Sequence, residues 1–447
     1  MSKYLKIIVA ALMAVAMAAP AFADSKVSGY FRNQFMVDNI QDGTTQDKNA
    51  ASQIDQRLRV KYQNNLNEYV FFVYYGEVDT KWGQPSAKAG GGGGGMAGAD
   101  ATNVETKNAY LDVTIPNSIW AIRTGVQGYG IGPDGIVEGN DLAGLQITHV
   151  LAPNINVVTA YFKPYENDTT QWDDQDIWSV KGNFKLTDMA KVNVDVTYLD
   201  LNSLDQNNIA AADGFFNNFA TGYTDADVYI IDAGGNFDFG MAQLDAFVAY
   251  SGGTINAAAG GTDFDLSGFM GTAKVKANLG PAKAGLRLTY YSSDDDLGAD
   301  DEANIFIGDL TGGAYEFYNE NLSIFYTDVY YNSTAGGRLA LTDAAYSGAG
   351  LLAVNATADF VLPANSYLKT GAGYFTALED TFNGSQFADG KDLGVELAAR
   401  LGTKVAEKVD VSLNGAYAFL GDFYKAPGVS SDPDDIYKVN FVVNVGF

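Results

Sequence analysis

The chain has no cysteine among its 447 residues and a single histidine, His149. Without cysteine there is no disulfide, no lipoprotein anchor and no c-type haem attachment. A barrel hydrolase needs a histidine beside a nucleophile or an acid, and no such motif surrounds His149. Long apolar runs are absent beyond the first residues, and the mean hydropathy is close to zero. This excludes a bundle of apolar membrane helices. No Pro/Ser-rich linker or shift in composition divides the chain. Basic residues are scarce: 28 Lys plus Arg stand against 54 Asp plus Glu, a formal charge of −26. Such a surface repels nucleic acid.

The apolar run at the start reads as a targeting segment. Lys3 and Lys6 precede an apolar stretch from Ile7 to Met17, and Ala21-Phe22-Ala23 is a small-x-small cleavage box. The expectation is a cleaved signal peptide over 1–23 and one exported domain over 24–447. Removing Lys3 and Lys6 leaves 26 basic and 54 acidic residues, a charge of −28. Taken alone, that figure predicts a preference for cations.

What the chain has is alternation, glycine and aromatics. Glycine accounts for 50 residues, tyrosine for 27 and phenylalanine for 26. In the stretch Ile436 to Phe447, the positions Tyr437, Val439, Phe441, Val443, Val445 and Phe447 are apolar or aromatic. Lys438, Asn440, Val442, Asn444 and Gly446 fall between them, a set mostly polar or small. A strand sends alternate side chains to opposite faces, so this segment has one apolar and one mostly polar face. Ile54 to Gln63 repeats the pattern: Leu58, Val60 and Tyr62 share a face, and Arg57, Arg59 and Lys61 share the other. Short turns, such as those at Pro116-Asn117, Pro153-Asn154 and Gly280-Pro281, alternate with long polar connections, such as Asn202 to Thr224 and Gly421 to Asp434. Strands of about ten residues suit a tilted crossing of a bilayer. Sorting connections by length is the habit of outer-membrane barrels. The expected fold is therefore all-β, a closed antiparallel transmembrane β-barrel of about 18 strands, with 16 the main alternative and 20 open. Ala303 to Gly348 is read as one long external excursion, with Asn321 to Asn332 strand-like.

The terminal stretch is similar to the last strand of Gram-negative outer-membrane barrel proteins, which end on phenylalanine. In that family Phe441, Val443, Val445 and Phe447 would form the signal read by the assembly machinery. From residue 24 onward the chain resembles general porins. Asn108 to Val113 followed by Ile119 to Gly125 is similar to the paired strands that precede their pore-constricting loop. The resemblance implies an outer-membrane channel for passive diffusion of small hydrophilic solutes and ions, a homotrimer, contact with lipid and lipopolysaccharide, and no cofactor. Residues 128–141 would then be the constricting loop, with Asp134, Glu138 and Asp141 facing Arg57, Arg59, Lys61 and Arg123 across the pore. Opposed charges across a narrow aqueous gap set ion selectivity. The same acids would also suit a solvated external loop. A barrel that sheathes a periplasmic or electron-transfer partner is the alternative function.

Other features carry less. The acidic clusters at 294–302 and 432–435 lack the spacing of a calcium loop. Gly90 to Gly95 is no phosphate loop, because no Walker lysine follows it. Trp82, Trp120, Trp172 and Trp178 suit aromatic girdles at the two membrane interfaces.

Overall fold

The computed structural model describes residues 24–39, 50–84, 94–98, 102, 104–133, 137–166, 174–202, 223–257, 261–295, 301–308, 321–325, 348–380, 390–425 and 433–447. The expected signal peptide lies outside these. The strands are β1 (Asp24–Asp38), β2 (Ala51–Asn65), β3 (Val70–Lys81), β4 (Glu105–Thr114), β5 (Trp120–Ile131), β6 (Glu138–Ala152), β7 (Ile155–Tyr165), β8 (Gln175–Thr187), β9 (Ala190–Asn202), β10 (Tyr223–Asp238), β11 (Ala242–Ala257), β12 (Phe264–Leu279), β13 (Ala282–Tyr291), β14 (Glu302–Ala303), β15 (Leu351–Leu362), β16 (Ser366–Thr376), β17 (Asp392–Ala406), β18 (Val409–Leu420) and β19 (Ile436–Gly446). They form one sheet. Setting aside the two-residue β14, the eighteen others pair with their neighbours in antiparallel order, and β1 pairs with β19 from Tyr30↔Gly446 to Asp38↔Lys438. The sheet therefore closes and leaves no edge, as a spanning sheet must when no water satisfies its backbone.

The seam is held at its end by two backbone bonds. Gly29 N–H donates to Phe447 O at 3.1 Å, and Phe447 N–H donates to Gly29 O at 3.0 Å. The Phe447 ring lies across Gly29: a Cβ built there would come within 2.8 Å of it. A side chain at position 29 would push the ring off the seam.

Connections sort by length. Those after β2, β4, β6, β8, β10, β12, β15 and β17 are tight, and together with the first residues of β1 and the last of β19 they make a short-turn end. The others make a long-loop end. At both ends aromatic rings face outward: Trp120 packs against His149 with tilted rings 4.3 Å apart near the short turns, and Tyr161 packs likewise against Trp178 at 4.4 Å near the long loops. Trp82, Trp120 and Trp178 are all exposed on the outside, while Trp172 lies outside the described residues. Along the strands the outer face carries Val248, Phe269, Leu286, Leu397, Leu401 and Leu413, all exposed. The inner face carries the charges. Phe441 faces out and Lys438, Asn440 and Val442 face in and are buried, following the alternation seen in the sequence.

One expectation is overturned. The connection from β13 to β15 is not simply an external excursion. β13 ends at Tyr291, opposite Met270 of β12. Beyond that point β14 takes its place, lying parallel to β12 with Asp265↔Glu302 and Leu266↔Ala303 in register. From there Ile305, Phe306 and Ile307 run across the inner wall, each no more than 1% exposed. Gly268 makes this close approach workable, because any Cβ there would strike the Ile305 backbone. Leu322 to Phe325 is likewise buried inside and is not a strand. Residues 326–332 lie outside the described residues. The physical reason is plain in the composition of these pieces: Ile-Phe-Ile and Leu-Ser-Ile-Phe bury more favourably than they solvate.

Candidate functional site

The site is the lumen, which two elements shape. The first is the inward connection. Asn304 N–H donates to Asp294 Oδ2 at 2.6 Å, and Ile307 N–H donates to the hydroxyl of Ser251 on β11 at 3.0 Å. The side chains of 305–307 join Leu199, Leu201, Val228, Ile230, Leu266 and Met270 in an apolar cluster. The second described piece sits on the opposite wall. The N–H groups of Ser323, Ile324 and Phe325 all donate to the Glu396 carboxylate of β17, at 2.6, 3.0 and 2.9 Å. Lys438 Nζ of β19 donates to Ser323 O at 2.9 Å. Phe325 packs on Phe375 of β16 at 4.5 Å, and Asn321 Nδ2 donates to Asp359 Oδ1 at 2.7 Å. A carboxylate that accepts three converging N–H groups is a strong, directional anchor. The long-loop half of the lumen is therefore narrowed by the chain itself.

The wall charges form two groups. On β1 to β3, Arg57 and Arg59 face inward as a ladder. Arg57 Nη2 meets Asp79 Oδ2 at 2.5 Å and Arg59 bonds to Glu77. The Arg59 guanidinium also lies 5.9 Å from the centre of the Tyr30 ring. Lys61 continues the row toward the short turns, opposite Tyr75. These cations are matched by the acids of β3, so the ladder is near balance.

The second group is not balanced. Between β7 and β13, on the short-turn half, lies a cavity of about 550 Å³. Six cations line it, Lys181, Lys185, Lys191, Lys274, Lys276 and Arg287, with one carboxylate, Asp245. Asp245 sits 3.4 Å from Lys276 and accepts from Asn236. Arg287 Nε donates to Thr272 Oγ1 at 3.1 Å. At the edge, in the turn after β8, Lys185 bonds to Asp188 at 2.5 Å and holds that carboxyl below the usual carboxylate range. The asparagines Asn156, Asn183, Asn193 and Asn236 fill the space between the cations.

Residues 128–141 form a hairpin whose described tip faces the lumen: Gly132 and Pro133 line the cavity, and Val137, 1% exposed, lies against Gly308 of the inward connection. Gly128 to Ile131 end β5 and Glu138 to Asp141 begin β6, paired Gly128↔Asp141 through Ile131↔Glu138. Only 132–137 connect them, and Asp134 lies outside the described residues. Alternating glycines do not prevent pairing, and the hairpin simply runs longer than the sequence suggested. Glu138 is the first residue of β6. Asp141 shares a phase with Leu145 and His149, opposite to Leu142 and Gln146, and bonds to Lys107 at 2.5 Å and Asn108 at 2.7 Å. Arg123 pairs with Asp112 at 2.8 Å and covers the Tyr110 ring at 4.6 Å. So the structure brings Arg57 and Arg59 together, places Arg123 against its own neighbour, and narrows the lumen from the β13–β15 connection together with the tip of the β5–β6 hairpin. Glu396, Lys438 and the cavity lysines were missed. The pairs Lys181/Lys185 and Lys274/Lys276, each in one phase of a strand, were the available signal.

No family model matches the sequence, and no curated protein matches it. Solved structures do match. The outer membrane protein opdK from Pseudomonas aeruginosa aligns at 11% identity with a TM-score of 0.56, over 95% of this chain and 98% of that one. A BenF-like porin from Pseudomonas fluorescens Pf-5 aligns at 11% identity with a TM-score of 0.55 over the same shares. OccK8 (OprE) from Pseudomonas aeruginosa aligns at 11% identity with a TM-score of 0.54, again over 95% and 98%. This chain shares the fold of those porin barrels. A closed barrel of eighteen strands is wide enough to hold an aqueous lumen, which here is narrowed rather than sealed by side chains alone.

Proposed function

We propose that this chain is a porin of the Gram-negative outer membrane, a passive channel for small hydrophilic solutes that favours anions. The observation that carries the reading is the lumen: a closed barrel, apolar outside, with a cavity on its path that holds six cations and one carboxylate. Net positive charge in a low-dielectric wall concentrates anions and speeds their entry. The short-turn end faces the periplasm and the long-loop end the exterior, following the habit of such barrels. Removal of residues 1–23 precedes assembly, with Phe441, Val443, Val445 and Phe447 as the signal for the assembly machinery. Lipopolysaccharide surrounds the outer face, and a homotrimer follows by analogy with porins. One neighbouring structure is of Pseudomonas aeruginosa OpdK with vanillate, a small carboxylate, and solutes of that charge suit this cavity.

The inward segments argue against a sheath around a partner protein, because Ile305, Phe306, Ile307 and Phe325 already occupy space such a partner would need. The channel reading needs no catalytic group. His149 shares its strand phase with Leu145, packs against Trp120 outside the barrel, and shares a 3.3 Å hydrogen bond with the Thr159 hydroxyl. The test is single-channel recording of the refolded mature chain in a planar bilayer under a salt gradient. The expected result is discrete steps with an anion-selective reversal potential. A folded barrel that gives no steps would sink the channel, and steps with cation selectivity would sink the role given to the cavity.

A further inference from the structure

The wall holds a second charged feature that the channel reading leaves unused. Asp195 of β9 and Asp232 of β10 are direct cross-strand partners. Both face inward, one step along the strands (about 7 Å at the usual rise) from Asn193 and Gly234, which line the basic cavity. Asp195 is 1% exposed and Asp232 is 3% exposed. Asp195 Oδ1 accepts from the hydroxyls of Ser179 at 3.0 Å and Thr197 at 3.2 Å. Its Oδ2 and both oxygens of Asp232 accept nothing. Three buried carboxylate oxygens, on residues paired across adjacent strands, thus lack a donor.

The charges can be counted. Lys181 of β8 is the cross-strand partner of Asp195 and acts on both carboxylates through space, without a hydrogen bond to either. Two carboxylates and one ammonium leave −2 + 1 = −1. A net charge buried with unsatisfied oxygens is costly, and native structures relieve that cost with a counter-charge. The vacant acceptors number three and the missing charge is one. We propose that Asp195 and Asp232 together hold one univalent cation in the channel wall. An alkali-metal ion satisfies this chemistry, and so does a primary ammonium, whose three N–H donors match three oxygens. A divalent ion does not match the charge count, because Lys181 already supplies one positive charge against the two carboxylates. The site stands on wall geometry and does not depend on what the channel carries.

The test uses the refolded mature barrel in detergent, with unfolding followed by heat-modifiable gel mobility near neutral pH at constant ionic strength. The salts are choline, sodium, potassium and methylammonium chloride. Choline is bulky and offers no N–H donor, so it sets the baseline. A saturable upward shift of the unfolding temperature with sodium or potassium assigns an alkali ion. The same shift with methylammonium alone assigns an amine. In either case Asp232→Asn must abolish the shift while the barrel still folds. If Asp232→Asn keeps the cation response, the response belongs to other acids and the proposal is overturned. If the four salts give the same unfolding temperature in the unaltered chain, the two carboxylates share a proton instead, and the proposal is overturned by that measurement alone. A shift only on adding calcium overturns the univalent count.

Discussion

Glu396 anchors the segment 321–325, and its removal tests how the lumen is narrowed. The balance can be worked from the contacts. Leu322, Ile324 and Phe325 are buried, at roughly 1.5–3 kcal/mol each, or about 4.5–9 kcal/mol together. Ordering the five backbone units costs about 1–2 kcal/mol each, or about 5–10 kcal/mol. Packing alone therefore barely covers the ordering, and the three hydrogen bonds to Glu396 decide the outcome. Bonds to a charged group contribute about 1.5–3 kcal/mol each. Glu396→Ala removes all three, strands three buried N–H groups and leaves Lys438 without its neighbouring carboxylate. The segment should leave the wall. In single-channel recordings the variant should show a larger unitary conductance with flickering between levels, and protease should cut near 321–325 in the folded barrel. Glu396→Gln keeps one acceptor oxygen and loses the charge, so it should fall between. If the Ala variant folds and gives the parental conductance and protease pattern, packing holds the segment and the reasoning fails.

Gly29→Val should lower the yield of heat-modifiable folded barrel sharply, because a Cβ there would overlap the Arg59 carbonyl oxygen of β2 and come within 2.8 Å of the Phe447 ring; unchanged folding would mean that β1 can shift on both neighbours without opening the seam. Lys274→Glu with Arg287→Glu takes the cavity lining from +5 to +1, and with the neighbouring Asp195 and Asp232 counted from +3 to −1, since two reversals subtract four. The reversal potential should lose most of its anion preference while unitary steps persist. Val248→Lys places a charge on the outer face midway along β11 and should cost about 2–4 kcal/mol in a urea-unfolding measurement in bilayers. Asp188 has a lowered carboxyl, so its contribution is present above the unfolded-state pKa and lost as pH falls through the lowered value. It is fully exposed and its pair with Lys185 is screened, so Asp188→Asn should leave acid unfolding unchanged.

The barrel was legible because its signal is periodic and local. Leu58, Val60 and Tyr62 against Arg57, Arg59 and Lys61 already separate outside from inside, and turn residues such as Pro116-Asn117 mark where a strand reverses. The narrowing from the β13–β15 connection was not legible, for two physical reasons. A segment that folds inward has no period: Ile305-Phe306-Ile307 reads equally well as a short strand or a loop packed on a wall. Its anchor is also remote, since Glu396 lies 71 residues beyond Phe325 and Lys438 lies 115 beyond Ser323. Only closure of the sheet brings them together. The glycines at 128–132 read as loop throughout, whereas Gly128 to Ile131 are paired strand. Glycine weakens a strand but does not forbid one, and cross-strand bonding to β6 prevailed over local propensity.

The same closure resolves a conflict of charge. A chain of formal charge −26 should repel anions, yet the cavity on its lumen is positive. The resolution is sorting along the barrel axis. The acids Asp176, Asp200, Asp227 and Asp265 sit near the long-loop ends of β8, β9, β10 and β12, and Asp176↔Asp200 and Asp200↔Asp227 are cross-strand partners. Asp227 lies nine residues along β10 from Asn236 at the cavity, roughly 30 Å at the rise of a strand. The Debye length at physiological ionic strength is about 8 Å. Those carboxylates are more than three screening lengths from Lys274 and Arg287, so they shape the mouth and the lipid boundary, not the passage. Six cations line one cavity; Asp245 stands among them and Asp195 and Asp232 face inward about 7 Å along the strands, so six cations against three carboxylates leave +3 close enough to act on a solute directly. Net charge therefore describes how the molecule meets its surroundings, and the sign of its selectivity is set by the few side chains that a closed sheet turns inward.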